Sequence, residues 1–266
     1  MKKVICLIAL FTMTTIACQR VPITGRRQVN LVDESQMISM SLTSYKEFLS
    51  KNPPEPASDL NAQMVKNLGA KLQKAVETFM KEKGLSNRLD GYQWEFNLVN
   101  SKEINAWCMP GGKVVVYSGL LPVTQTEPAL ACVMGHEIAH AVARHGNERM
   151  SQGLLVELGG AALSVALSQK PQATQDIFLQ SYGVTSQLGM LKYSRTHESE
   201  ADKMGLIFMA LAGYDPNEAV AFWERMAKAS GGNAPPEILS THPSDETRIA
   251  DIKAFLPEAM KYYKKK

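Results

Sequence analysis

Residues 136–140 read His136-Glu137-Ile138-Ala139-His140, and the chemistry of this stretch decides which fold the sequence is expected to form. Two histidines four residues apart on a helix lie one turn apart on the same face, so both rings can bind one metal ion. The glutamate between them is placed to act as a general base on a water molecule. Two helical histidines with ordinary core or solvent-exposed positions are the alternative.

The sequence around this stretch predicts a buried helix. Residues 124–128, with the sequence TQTEP, carry helix start signals: a Thr three residues before a Glu, and a Pro suited to a first turn. The run 129–145 contains no Gly or Pro except Gly135 and is apolar on nearly all sides. Because an unpaired buried polar ring is costly, histidines in such a helix need partners, which a metal ion would provide.

A catalytic zinc of this kind needs a third protein ligand and one open position. Glu198 and Asp202 are four residues apart and lie on one face of a predicted helix. We expect Glu198 to bind the metal, and Asp202 to accept a hydrogen bond from the second ring nitrogen of a ligating histidine. Glu200 should face away from this pair. An ordinary acidic helix face is the alternative.

Two further histidines are expected to play structural roles. His145 lies about 140° around the helix from His140 and should not reach the same metal. His197 adjoins Glu198 but points elsewhere, so it is interpreted as structural or facing solvent.

These residues together resemble a gluzincin metallopeptidase family, the one that includes HtpX, the type 1 CAAX prenyl proteases and periplasmic lipoproteins such as LoiP and BepA. Further segments resemble the family in the expected order, and the resemblance covers roughly residues 21–257. The segments are 21–28 (VPITGRRQ), 105–113 (NAWCMPGGK), 213–216 (GYDP) and 241–244 (THPS).

The resemblance implies an α+β, mostly α-helical fold: a zincin-like metallopeptidase domain with a small antiparallel sheet beside the catalytic helix. It also implies one Zn²⁺ per chain, held by His136, His140 and Glu198, with Glu137 as the general base. The expected activity is that of a zinc metalloendopeptidase acting on misfolded or unassembled cell-envelope proteins. A zinc-containing, chaperone-like binding protein with little or no proteolysis is the alternative.

Two residues are candidates to stabilise the oxyanion that forms when a peptide carbonyl is attacked. His242 precedes Pro243 and so lies at a turn or a helix start, from which it could stabilise the oxyanion or occupy the open zinc position in a resting state. A helix-capping histidine is the alternative. Arg195 is the second candidate, with a structural ion pair near the metal as its alternative.

The sheet is predicted from residues that follow the helix at 60–83 and precede the helix at 129–145 in the sequence. Residues 94–98 alternate as in a half-buried strand, and 114–117 predict a second strand. The segment that begins with Asn105 and Ala106 is the candidate edge strand, which would bind an extended substrate through backbone hydrogen bonds. A core strand is the alternative. Helical spacing predicts further helices at 33–49, 60–83, 217–229 and 244–255.

The N-terminus has the pattern of an export signal. Within residues 1–17, a short positive region precedes an apolar stretch that is too short to span a bilayer. Residues 15–18 (TIAC) resemble a lipoprotein cleavage box, so Cys18 is expected to carry a lipid anchor. Ordinary cleavage after Ala17 is the alternative. The expected location is the bacterial periplasm, with anchoring to the outer membrane because Gln19 follows Cys18.

The mature chain is expected to contain an N-terminal segment, 18–58, packed on a zinc metallopeptidase domain, 59–266. The formal net charge is +3, and the sequence has no basic stripe of the kind that nucleic-acid binding requires, so no nucleic-acid partner is expected. Cys108 and Cys132 could form a disulfide or remain as buried thiols. The apolar segment 153–168 is interpreted as a packed helix or a flap, with an interfacial membrane contact as the alternative.

Overall fold

A computed structural model describes residues 18–158, 171–182, 184, 193–229, 238, 242 and 246–264. The predicted signal segment, 1–17, and residues 159–168 of the apolar segment lie outside the described residues. The described part is mostly helical with two small sheets, which confirms the predicted α+β fold class. No helix among the described residues is both long and apolar enough to cross a membrane.

The strands are short and the helices longer. The strands are β1 (Cys18–Arg20), β2 (Arg27–Val29), β3 (Glu95–Val99), β4 (Ala106–Met109) and β5 (Lys113–Tyr117). The helices are α1 (Glu34–Lys51), α2 (Leu60–Glu82), α3 (Leu121–Thr124), α4 (Glu127–Ala143), α5 (His145–Leu158), α6 (Pro171–Ser181), α7 (Arg195–Leu211), α8 (Glu218–Ala229) and α9 (Glu246–Ala259).

The sheet of β3, β4 and β5 contains the predicted strands, but its pairing is mixed rather than wholly antiparallel. The strand order is β3-β5-β4, with β5 parallel to β3 and antiparallel to β4. Gly111 and Gly112 both have positive φ in the turn between β4 and β5, which lets the chain reverse there. Since β4 already runs against β3, this reversal returns β5 parallel to β3. The predicted edge strand, β4, does lie at an edge.

The two faces of this sheet pack against different layers. Alternate residues of the strands point to opposite faces. Phe96, Cys108 and Val114 belong to the main core with α2, α4 and α7, whereas Trp107 and Val115 belong to a second core with α1, α5 and α6. Helix α4 therefore packs directly against the first of these two faces.

The N-terminal segment covers the second face of the sheet. Phe48 of α1 packs edge-on against Trp107, with ring centroids 5.0 Å apart. The β1–β2 hairpin lies near the end of α4: the Arg88 guanidinium donates to the carbonyls of Val142 and Ala143 and to that of Arg20 in β1. The terminal carbonyls of α4 are thus satisfied by a side chain that also binds the hairpin.

Helices α4 and α7 approach each other closely where each carries a glycine. A Cβ atom on Gly205 would lie 2.9 Å from the backbone nitrogen of His136, and one on Gly135 would lie 3.0 Å from the Gly205 carbonyl oxygen. The glycines therefore set the spacing between the two helices. Cys108 and Cys132 are free, buried thiols, so the disulfide alternative is wrong.

Candidate metal centre and active site

Helix α4 presents the two predicted histidine ligands on one face. The helix begins within the predicted start segment, but its cap is Thr126 and not Thr124: the Thr126 side chain accepts a hydrogen bond from the Ala129 backbone N–H at 3.2 Å. Almost the whole helix is buried, and the Nε2 atoms of His136 and His140 lie 3.0 Å apart. Two ring nitrogens this close together can both bind the same metal ion.

Glu198 of helix α7 and His242 complete a cluster of four donors. The Glu198 oxygens lie 3.5 Å from His136 Nε2 and 3.4 Å from His140 Nε2. His242 Nδ1 lies 3.2 Å from His136 Nε2 and 3.0 Å from a Glu198 oxygen. These four residues are all buried, and a ligand atom from each lies within 4.8 Å of the others.

The donor set fits a tetrahedral metal ion. Zinc binds nitrogen and oxygen at about 2.0–2.1 Å, which places two donors on a tetrahedron roughly 3.3 Å apart. The distances described above run from 3.0 to 3.5 Å, with His136 measured to Oε2 of Glu198 and the other two histidines measured to Oε1. Three histidine nitrogens and one carboxylate are ordinary ligands for a divalent transition metal. The residues therefore fit a bound metal ion, with His242 as the fourth donor.

Glu137 faces the same cluster. Its Oε1 atom is buried and accepts no hydrogen bond from the residues that the structure describes. The nearest ionisable nitrogen is His242 Nε2, at 3.6 Å. Burial raises the pKa of Glu137 above its usual value, and a raised pKa suits a group that takes up a proton near neutral pH.

Asp202 lies where the sequence predicted a partner for a ligating histidine. Its Oδ1 atom is 2.8 Å from His136 Nδ1. The His136 ring can therefore donate from Nδ1 and keep the Nε2 lone pair for a metal ion. Burial opposes ionisation of Asp202, but the charges and hydrogen bonds of Arg248 and His136 together outweigh it and lower the pKa of the carboxyl.

Arg248 of α9 is part of the centre, although sequence reasoning did not identify it. Its guanidinium is buried, binds both oxygens of Asp202 at 2.8 Å and lies 2.9 Å from a Glu198 oxygen. It also stacks 3.5 Å above the Trp223 ring of α8. The three buried acids Glu137, Glu198 and Asp202 carry one more negative charge than a divalent ion neutralises, but this charge count does not say which residue supplies the further cation.

The remaining predicted site residues lie around this centre. Arg195 is exposed in the first turn of α7, on the wall of a cavity that Glu198 and Arg248 also line. Ala106 begins the edge strand β4, and Asn105 directly precedes it. The Ile238 N–H, one turn before His242, donates to the carbonyl of the residue before Asn105. Cys18 begins β1.

The two histidines expected to be structural are buried beside the centre. His197 caps α7 with Ser194 and lies 3.0 Å from Glu148 through Nε2. His145 is not one of the four clustered donors, in keeping with the prediction, but its Nδ1 atom lies 3.0 Å from His140 Nδ1. This contact was not predicted, because α4 ends at Ala143 instead of continuing to 145.

Comparison with known proteins gives a family model and several curated relatives. The model for peptidase family M48 matches residues 67–256. The mitochondrial metalloendopeptidase OMA1 of Schizosaccharomyces pombe is 34% identical over 90% of this chain and 66% of its own length. The protein of that name from Saccharomyces cerevisiae is 31% identical over 92% of this chain and 70% of its own length. The beta-barrel assembly-enhancing protease of Escherichia coli is 36% identical over 60% of this chain.

The chain spans between about a third and about two thirds of the length of most of these relatives. The predicted location is wrong: it was the bacterial periplasm with outer-membrane anchoring, whereas the relatives that match 90% or more of the chain are mostly named as mitochondrial proteins. A signal-like N-terminus alone could not separate these destinations. The family prediction is confirmed, since the model covers most of the chain and the relatives are named as proteases. The chain belongs to peptidase family M48.

Proposed function

We propose that this protein is a zinc-dependent metalloendopeptidase that uses Glu137 as its general base. The observation that carries the proposal is the cluster of His136, His140, Glu198 and His242. Beside it lies the Oε1 atom of Glu137, which has no hydrogen-bond partner among the described residues. A protein that held a metal only for structural reasons would need the ligands but not a buried carboxylate facing them.

Each residue of the centre has a proposed role. A bound zinc ion would act as a Lewis acid and make water a stronger acid near neutral pH. Glu137 accepts the proton of the attacking water and delivers it to the leaving amine. Asp202 orients His136 through Nδ1. Arg248 holds Asp202 and offsets the negative charge of Glu198.

His242 is proposed as the resting fourth donor, which moves to leave a position open for substrate. Its Nδ1 atom belongs to the donor cluster and its Nε2 atom points towards Glu137. After moving, its ring is available to stabilise an oxyanion. Replacing His242 with Ala should therefore lower zinc affinity and change turnover. If both stay at the wild-type value, His242 has neither role.

The proposed substrates are misfolded or unassembled cell-envelope proteins, bound as extended segments. The strand β4, with Asn105 and Ala106 at its start, pairs with a described strand on one side only. Its other side is the proposed place for strand addition, which tolerates many sequences. One relative is named for enhancing beta-barrel assembly, which supports substrates of this class. Arg195 is proposed as an ion-pairing residue near the centre and not as a catalytic group.

A lipid anchor at Cys18 is a separate proposal that rests on the cleavage-box pattern in residues 15–18. Mass spectrometry of the natural protein tests it directly. A mature N-terminus at Cys18 with an added acyl mass is expected. An unmodified chain that begins elsewhere would exclude the anchor.

The experiment that tests the activity is cleavage of unfolded casein by the zinc-loaded protein, with Glu137→Gln as the matched variant. We expect the wild type to cut and a chelator to stop it, whereas Glu137→Gln should be slower by about 10²–10⁴-fold with one zinc still bound, because only the base is lost. Equal cleavage by both proteins would refute the role of Glu137. Bound zinc without cleavage in either would favour the binding-protein alternative.

A further inference from the structure

A kink between α4 and α5 brings His145 back towards the metal centre. Arg144 has φ 63° and ψ 31°, the left-handed conformation that residues other than glycine seldom adopt. In a straight helix His145 would lie about 140° around the axis from His140. The kink instead places the two Nδ1 atoms 3.0 Å apart, with both rings buried.

The hydrogen positions along this contact follow from the metal site. If His140 binds a metal through Nε2, its Nδ1 atom carries the hydrogen and donates to His145 Nδ1. His145 must then carry its own hydrogen on Nε2. That atom lies 3.0 Å from Glu200 Oε2, which can only accept. The three groups form one directional chain, from the ligand through a second histidine to a carboxylate.

The far end of this chain is held by the β1–β2 hairpin. The Thr24 hydroxyl lies 2.5 Å from a Glu200 oxygen, and the Arg26 guanidinium binds Glu200 at 3.0 Å. The same guanidinium binds Glu148 of α5 through two bonds of 2.8 Å. Arg26 therefore supplies the positive charge that two largely buried carboxylates require.

The kink itself is also held by the N-terminal segment. Arg144 pairs with Glu34 at the start of α1, at 3.1 Å, and its carbonyl accepts a bond from the Gln28 side chain at 3.4 Å. The conformation that brings His145 to His140 thus depends on residues far away in sequence. The strain of the left-handed backbone at Arg144 is offset by these contacts with residues 18–58.

We infer that His145 is a positioning residue for the metal ligand His140, and that the N-terminal hairpin controls it through Thr24, Arg26 and Glu200. His136 is oriented directly by a carboxylate, Asp202, whereas His140 is oriented by a carboxylate through an intervening histidine. The inference rests on the proposed metal site. It predicts that metal affinity depends on a segment that contributes no ligand to the four-donor cluster.

The first test compares His145→Leu with His145→Asn in the full chain. Zinc affinity is measured by competition with a chromophoric chelator, and the ligand field by the absorption spectrum of the Co²⁺-loaded protein. His145→Leu removes the acceptor for His140 and should weaken zinc binding by about 10–100-fold and shift the cobalt bands. His145→Asn keeps an oxygen near the Nδ1 position and should restore most of the affinity.

The second test changes a residue that does not contact any of the four metal-binding side chains. Arg26→Gln should weaken zinc binding by roughly 10-fold, which is the lower end of the range for residues that orient a metal ligand. It should also shift the cobalt bands. Arg27→Gln removes the same charge at the adjacent, exposed position and should leave both unchanged. If His145→Leu does not fold, the comparison of Arg26→Gln with Arg27→Gln still tests the inference.

The outcomes separate this inference from the proposed function. Wild-type zinc affinity and cobalt spectrum in folded His145→Leu, or in Arg26→Gln, would overturn the inference and leave the peptidase proposal intact. A wild-type protein that binds neither metal would overturn the proposed function itself. Equal losses in His145→Leu and His145→Asn would show that the ring packs against its neighbours without orienting His140.

Discussion

Arg248 is the residue on which the acidic groups of the metal centre converge. It binds Asp202 and Glu198 from a helix that starts after both, stacked on Trp223. The pairing of His136 with His140 could be predicted from sequence, because residues four apart on a helix share a face whatever the rest of the chain does. Arg248 could not be predicted, since 46 residues separate it from Asp202 and only tertiary packing brings them together.

Replacing Arg248 with Met should destabilise the metal-free protein by about 3–5 kcal/mol, because it leaves two buried carboxylates without their cation. Zinc should reduce the loss by neutralising Glu198. Urea unfolding with and without zinc measures both quantities. Lys66→Met removes the same charge at an exposed position of α2 and should stay within about 0.5 kcal/mol of the wild type. Similar values for the two variants would mean that Arg248 contributes no more than a surface charge.

At the scale of elements, the contact between α4 and α7 sets the geometry of the metal centre. α4 carries His136 and His140, α7 carries Glu198, and the glycine at 205 lets their backbones meet. Gly135 stood out in the sequence as the lone glycine of the predicted run, but its partner in α7 did not. A close approach of two helices produces no periodic pattern in the sequence of either helix, so the contact of Gly135 with Gly205 could not be predicted.

Gly205→Ala should therefore weaken both folding and metal binding. The new methyl group would lie 2.9 Å from the His136 nitrogen, which is backbone and cannot rotate away, so the helices must separate. We expect a loss of about 1–3 kcal/mol in the free energy of unfolding and weaker zinc binding. Thermal melts and chelator competition measure the two effects. Thr196→Ala, at an exposed position of α7, is the control and should change neither.

At the scale of the whole molecule, helices were more predictable than the relations between elements. The four helices predicted by spacing are present with ends shifted by a few residues. Strand pairing was not predictable, because periodicity fixes which face a residue points to but not which strand lies next to it. The break at Arg144 was missed for a similar reason: the contacts that hold it, with Glu34 and Gln28, come from the N-terminal segment.

The same segment should make the fold sensitive to acid. Arg26 of the hairpin and His197 of α7 both contact Glu148 of α5. Burial opposes ionisation of Glu148, but the hydrogen bonds from Arg26 and His197 outweigh it and lower its pKa to about 2. An unfolded chain has a glutamate pKa of about 4.3. The stabilisation is therefore fully present above about pH 4.3 and is lost as the pH falls towards 2.

The acid sensitivity can be measured from urea unfolding at a series of pH values between about 5 and 2. The wild type should lose stability more steeply across this range than Glu148→Gln, because the variant has no carboxylate to protonate at that position. Glu200 also faces Arg26 and remains in both proteins, so part of the slope should persist in the variant. Glu103→Gln, at an exposed position, should follow the wild-type curve. Parallel curves for the wild type and Glu148→Gln would mean that the bonds between the hairpin and α5 do not contribute to folding.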